Sequence, residues 1–274
     1  MIADFIITFR ETFEAALVVG IVLGYLSKTG QTKYNNVVYV GIAAGIIASV
    51  FAAFIFENIY GGFSGRGEMI FEGVTMFFGA FLLSTMIFWM MGQKHVAQDL
   101  RKNISLELSA KHKAGLFFLV FISILREGVE TVIFLGAASF ASGNSNLIGA
   151  VLGVSVAVLL GYAVFVGSMK INVKMFFNFT SLILIFFAAG LVAQGVHEFE
   201  EAGAIPVLIE HVWDINPPVN SDGSFPALHE NGSVGSIFKS LFGYNGNPSL
   251  VEVLGYFAYI SGAYFFWKRA GKNE

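Results

Sequence analysis

Cysteine is absent from this chain, and that absence removes several kinds of chemistry at once. There is no disulfide framework, no thiolate metal site and no iron–sulfur cluster. Any metal must be held by oxygen or imidazole ligands. Charge is scarce too. Only 13% of the 274 residues are charged, where a soluble domain carries about a quarter. No Walker-type Gly-Lys-Ser/Thr run and no nucleophile elbow occur, so nothing points to ATP hydrolysis or to an enzyme. Histidine is sparse: His197 falls in an apolar segment, while His95, His112, His211 and His229 fall in connectors. A membrane haem needs axial ligands from the core, so no resident haem is expected. Nothing marks a nucleic-acid partner, and no permanently bound cofactor is expected.

What the chain has in abundance is apolar surface: 55% of its residues are hydrophobic, with 30 Phe and 31 Gly. That suits a lipid-facing surface and close helix packing. A spanning helix needs ~20 mostly apolar residues, and seven segments qualify, at roughly 3–27, 36–57, 68–91, 114–140, 146–168, 175–199 and 249–268. The first reads as a mature helix and not as a signal peptide, because Arg10, Glu11 and Glu14 interrupt it. Two connectors are long. One runs from about Gly92 to Lys113 and is basic; the other covers about 202–248 and is polar and acidic.

Orientation follows from Lys and Arg. Lys28, Lys33, Lys94, Arg101, Lys102, Lys111, Lys113, Lys170, Lys174, Lys268, Arg269 and Lys272 share one side, against Arg66 and Lys239 on the other. This places the N-terminus outside, the C-terminus in the cytoplasm and the 202–248 loop outside. The protein is expected in a bacterial or archaeal cytoplasmic membrane. Gly20 and Gly24, Gly41 and Gly45, and Gly149 and Gly153 stand at helix-packing spacing and are read as packing residues.

One pattern occurs twice. Arg10-Glu11-Thr12-Phe13-Glu14 lies in the first segment and Arg126-Glu127-Gly128-Val129-Glu130 in the fourth. Three helices separate the copies, and an odd offset reverses orientation. This predicts an inverted 3+3 helix repeat, about 1–91 and about 114–199, with a seventh helix at about 249–268 added, all within one transmembrane domain. On a helix each residue advances about 100°, so Arg10, Glu14 and Glu11 share one face, as do Arg126, Glu130 and Glu127. Charges at that depth cost ~3 kcal/mol each unless paired or metal-bound. Four carboxylates against two guanidiniums leave a net negative site that a hard cation can fill. Glu11, Glu14, Glu127 and Glu130 are therefore the expected metal ligands, with Arg10 and Arg126 balancing charge. The competing structural reading is a salt-bridge network that locks two helices together.

Further acids lie toward the expected outer end. Glu68 and Glu72 share a face of the third helix. Gln194, Glu198 and Glu201 run along the sixth, with His197 and Glu200 beside them. Glu68, Glu72, Gln194, His197, Glu198 and Glu201 are read as an entry path; the alternative is an ordinary polar helix end. The loop residues Glu210, His211, Asp214, Asp222, His229 and Glu230 could gather cations or dock a partner, or form a solvated acidic loop.

With these residues in view, the chain resembles the oxidase-dependent iron permease family. That family's hallmark is Arg-Glu-Gly-Leu-Glu in helices one and four. Residues 126–130 nearly match it, whereas Thr12-Phe13 replaces Gly-Leu in the first copy. The likeness extends to Ala188-Ala189-Gly190-Leu191, Gly195-Val196-His197-Glu198, Val212-Trp213-Asp214, Leu241-Phe242-Gly243-Tyr244, Pro248-Ser249 and Glu252. The resemblance implies iron as transported substrate, ferrous iron oxidised outside by a partner oxidase or supplied by a metal donor, and inward movement of the ferric product. The four motif glutamates are then the iron ligands. The alternatives are a permease for another cation such as lead or manganese, and a membrane sensor or assembly subunit that transports nothing. Lipid is an expected partner, and a homo-oligomer is compatible with the sequence.

Overall fold

The computed structural model describes residues 2–92, 113–143, 147–165 and 173–270. Among them there is no strand, and eight α-helices carry the fold. They are α1 (Ile2–Lys28), α2 (Asn35–Tyr60), α3 (Arg66–Gly92), α4 (Lys113–Ser142), α5 (Leu147–Phe165), α6 (Val173–Glu201), α7 (Gly235–Phe242) and α8 (Leu250–Ala270). Each of the seven apolar segments is a helix, with ends within about three residues of the expected ones. The fifth is described as far as Phe165. The interior of the basic connector, with His95 and His112, lies outside the described residues.

The distribution of side chains is inverted relative to a soluble protein. Ile47, Val50, Phe51 and Phe54 of α2 face outward, as do Leu147, Leu152 and Leu159 of α5 and Phe257, Phe265 and Phe266 of α8. Arg10, Glu11, Glu14 and Glu127 are buried. Hydrocarbon accommodates the first set without the transfer cost that water would impose. Among the described residues, five helices are long and apolar enough to cross a membrane: Thr32–Tyr60, Arg66–Met90, Leu147–Phe165, Met175–Glu201 and Leu250–Arg269. The two long helices outside that set, α1 and α4, carry three charges within five residues at mid-length. The fold is that of an all-helical, polytopic membrane protein.

Helices pair in a regular way. α1 packs against α5 and α4, α2 against α4, α3 against α6, and α6 also against α8. The close contacts rest on small residues. A Cβ on Gly128 of α4 would overlap the Ser49 side chain of α2, and one on Gly153 of α5 would overlap Thr8 of α1. Gly20, Gly41 and Gly45 also sit at helix contacts, as expected, and Gly149 is buried. Gly24 faces open space, so the packing expectation fails there.

Part of the 202–248 loop departs from the solvated loop considered above. Residues 235–242 fold into α7, which lies against α6, α1 and α4. Phe238, Leu241 and Phe242 fall on one face of this helix. Phe242 meets the Phe186 ring at 5.8 Å, and Leu241 packs onto the main core. Gly243 ends the helix in the left-handed region at φ 66°, its N–H bonding back to the Lys239 and Phe238 carbonyls. Only glycine fits there, since Gly243 lies backbone to backbone on Gly190 of α6. α8 opens with a reciprocal cap. The Glu252 N–H donates to Ser249 Oγ at 3.1 Å, and the Ser249 N–H donates to Glu252 Oε1 at 3.3 Å.

Candidate metal site

The motif charges meet where α1 crosses α4. On α1, Arg10 Nη1 donates to Glu11 Oε1 at 2.8 Å, and Nη2 lies 2.9 Å from Glu14 Oε1. On α4, Arg126 Nη2 pairs with Glu127 Oε1, and Nε lies 3.5 Å from Glu130 Oε1. Each triad closes within its own helix, as the 100° spacing requires. The helices then bring carboxylates from both motifs together: one oxygen each of Glu11, Glu14 and Glu127 lie within 4.8 Å of one another. Three of the four expected ligands are thus gathered. Glu130 stands apart from that cluster, beside Arg126.

The cluster is chemically incomplete as it stands. Glu11 Oε2, Glu14 Oε1 and Glu127 Oε2 of the cluster, and Glu130 Oε2 apart from it, are buried and have no hydrogen-bond donor, and Arg10 Nε has no acceptor. An unpartnered carboxylate oxygen is costly in a dry interior. A cation among these oxygens would satisfy them, and an all-oxygen set suits a hard or borderline ion.

The arginines are held unequally. The Arg10 side chain is fully buried, whereas that of Arg126 is 51% exposed. Arg10 Nη1 also donates to Met86 Sδ at 2.9 Å and Nη2 to Met90 Sδ at 3.0 Å, both on α3. Arg126 lies 6.0 Å from the Trp89 ring centroid. Sequence reasoning missed these α3 residues because Met and Trp read as ordinary apolar positions. The Thr12-Phe13 departure leaves the carboxylates clear, since Phe13 is buried against Phe176, Phe177 and Ala157.

The second set of acids gathers at one end of the α3–α6 pair. The Tyr60 hydroxyl donates to Glu72 Oε1 at 2.8 Å and to Glu68 Oε1 at 3.1 Å. Glu198 lies near Gln194, Glu72 and Glu201. His197 instead joins α8: its Nδ1 lies 3.1 Å from Glu252 Oε1, and its Nε2 lies 3.3 Å from Glu201 Oε1. Glu200 accepts from Ser249 Oγ at 2.6 Å. Tyr60 and Glu252 were not foreseen in these roles, although Ser249-x-x-Glu252 is a legible capping signal.

These acids do not adjoin the motif cluster. From Glu72 to Met86 is 14 residues of α3, about 21 Å. Met76, Ala80 and Leu83 lie between them. They pack with Phe134 and Ala137 of α4 and with Phe187, Ala188 and Leu191 of α6 in one apolar core. The loop acids scatter. Glu210, His211, Asp214 and Asp222 are exposed, His229 is buried, and Glu230 accepts from the Gly246 N–H at 3.0 Å and from Asn216 Nδ2 at 3.2 Å.

Comparison with known proteins extends over the whole chain. The family model described as the iron permease FTR1 family matches residues 1–268. An uncharacterized protein of Archaeoglobus fulgidus is 34% identical over 269 residues, covering 96% of this chain and 94% of its own. Proteins named ferrous iron permease EfeU are similar as well. The one from Yersinia pestis is 33% identical over 264 residues, covering 95% of this chain and 90% of its own. The one from Escherichia coli strain CFT073 is 30% identical over 264 residues, covering 95% and 92%. No solved structure matches.

Proposed function

The chain belongs to the iron permease FTR1 family, and from that premise we propose that it carries iron inward through the carboxylates of α1 and α4. It is a transporter of a cytoplasmic membrane, multi-pass, with iron as its substrate. In the proposed reading Glu11, Glu14 and Glu127 bind the ion, Glu130 completes the set, and Arg10 and Arg126 balance the charge. Seven helices (α1 to α6 and α8) cross the bilayer, with the N-terminus outside. The pairing of α1 with α5, and of α2 with α4, supports the inverted 3+3 repeat, because those two pairs exchange under such symmetry.

The observation that carries this reading is the group of buried carboxylate oxygens within 4.8 Å of one another, several without any donor. A structural staple would leave no such surplus. Four glutamates against two arginines leave a formal charge of −2, which one divalent ion neutralises. We therefore favour ferrous iron as the species held in the membrane, over the ferric ion that external oxidation would supply. The EfeU relatives, named as ferrous iron permeases, agree with this choice. The apolar layer between Glu72 and Met86 supports an occluded conformation, with Glu68, Glu72, Gln194, Glu198 and Glu201 as the outer approach. Transport then requires that layer to part, by one repeat moving against the other.

Radiolabelled iron uptake into proteoliposomes tests the proposal. A Glu14→Ala, Glu130→Ala double variant should insert normally and lose uptake; full uptake by that variant overturns the reading. Excess lead or manganese should compete less well than iron. Ascorbate should sustain uptake if the ion is ferrous and abolish it if external oxidation is obligatory.

A further inference from the structure

The two arginines of the repeated motif are equivalent in sequence, yet one helix treats them differently. Met86, Trp89 and Met90 lie within little more than one turn of α3. Each terminal nitrogen of Arg10 faces one carboxylate and one thioether: Nη1 meets Glu11 and Met86, and Nη2 meets Glu14 and Met90. Arg126 meets the Trp89 ring instead.

A thioether accepts a hydrogen bond weakly and carries no charge. It can occupy an N–H without neutralising the guanidinium. Each terminal nitrogen carries two N–H groups, and in this buried site each gains from an acceptor. With sulfur on one side, Nη1 gives Glu11 a single hydrogen bond and Nη2 stands beside Glu14 as an ion pair without one, while Nε has no partner. Without sulfur, the second N–H has only the glutamates to turn to, and the pairing becomes multidentate and tighter. An entering ion must displace that pairing.

We propose that Met86 and Met90 are positioning residues that seat Arg10 on α3 and so set how strongly it competes with iron for Glu11 and Glu14. This rests on the reading that those carboxylates bind the transported ion. The thioethers need not touch the ion; they act through the arginine. Their effect therefore falls on apparent affinity and not on the number of folded molecules.

The test compares Met86→Leu, Met90→Leu with Met86→Gln, Met90→Gln in radiolabelled ferrous uptake, normalised to protein inserted in the liposomes. Leucine keeps the volume and removes the acceptor. Glutamine keeps an acceptor. The leucine pair should raise KM about 5- to 10-fold, with the maximal rate within about twofold of the parent. The glutamine pair should return KM to within about twofold of the parent. An unchanged KM in the leucine pair, or equal impairment of both pairs, overturns the proposal. Should the leucine pair fail to insert, the single leucine variants are measured, each with an expected rise of about threefold; no rise in either overturns it. Glu14→Gln is run in parallel. If Glu14→Gln transports at the parent KM, the carboxylate reading itself fails. If Glu14→Gln is impaired while the leucine pair is not, only the thioether seat is lost.

Discussion

Glu14→Gln isolates charge from shape. The substitution replaces one carboxylate oxygen with an amide nitrogen and takes the site from a formal −2 to −1. One unit charge against a divalent ion at ~4 Å, with an effective dielectric near 20, is about 8 kcal/mol. Two effects offset most of that. The glutamine carbonyl can still coordinate, and Arg10, 2.9 Å from Glu14, loses a partner it would otherwise have to leave. About 2 to 4 kcal/mol should remain, roughly a 30- to 700-fold loss of affinity. Equilibrium binding of ferrous iron to purified protein, with uptake kinetics in proteoliposomes, measures it. Glu198→Gln is the internal control. It lies among the acids at one end of the α3–α6 pair, apart from the motif cluster, and should change the uptake rate more than the binding constant. Affinity of Glu14→Gln within threefold of the parent would refute the charge argument, and so would an equal affinity loss in Glu198→Gln.

Gly128→Ala should destabilise the α2–α4 contact by about 1 to 3 kcal/mol, since its Cβ would overlap Ser49; Ser49→Gly added to it should recover part of the loss in a thermal-unfolding assay. Glu252→Ala removes the α8 cap and the partner of His197 and Asn245, leaving those groups short of an acceptor; a loss of about 2 to 4 kcal/mol is expected, smaller for Glu252→Gln. Glu230 offers a pH test in the loop before α8. Burial acts to raise its carboxyl, but the Gly246 N–H, Lys239 and Asn216 outweigh that, and the group is held below the usual carboxylate range. A lowered folded value stabilises the loop above the unfolded value, near pH 4.3, and that stability is lost as pH falls through the folded value. Limited proteolysis of the loop should accelerate below about pH 4 in the parent and depend less on pH in Glu230→Gln.

The residues differ in how far local pattern could read them. The seven long helices were legible because each is an apolar run of sufficient length, a property of contiguous sequence alone. The Arg-Glu-x-x-Glu triads were legible for a similar reason: helical spacing forces Arg10 onto Glu14 and Arg126 onto Glu130 whatever surrounds them. α7 was not legible. Eight residues cannot hold a helix alone, and this one is held by Phe186 and Gly190 of α6, far away in the chain. The entry path read from acids at the helix ends also did not anticipate the apolar layer. Met76, Leu83, Phe134 and Leu191 come from three helices, and only packing makes them one apolar layer.

Composition and spacing alone therefore determined that this is a membrane protein with two charged triads, because hydrophobic length and helical periodicity act along the chain. The relative rotation of α1 and α4 was a tertiary matter, set where the two helices pack on each other, with Gly128 holding α4 against Ser49 of α2 and Gly153 holding α5 against Thr8 of α1. That fit groups Glu11, Glu14 and Glu127 and leaves Glu130 beside Arg126. It also lets α3 reach the site and give Arg10 two sulfurs, which no pattern of charges in the sequence could announce.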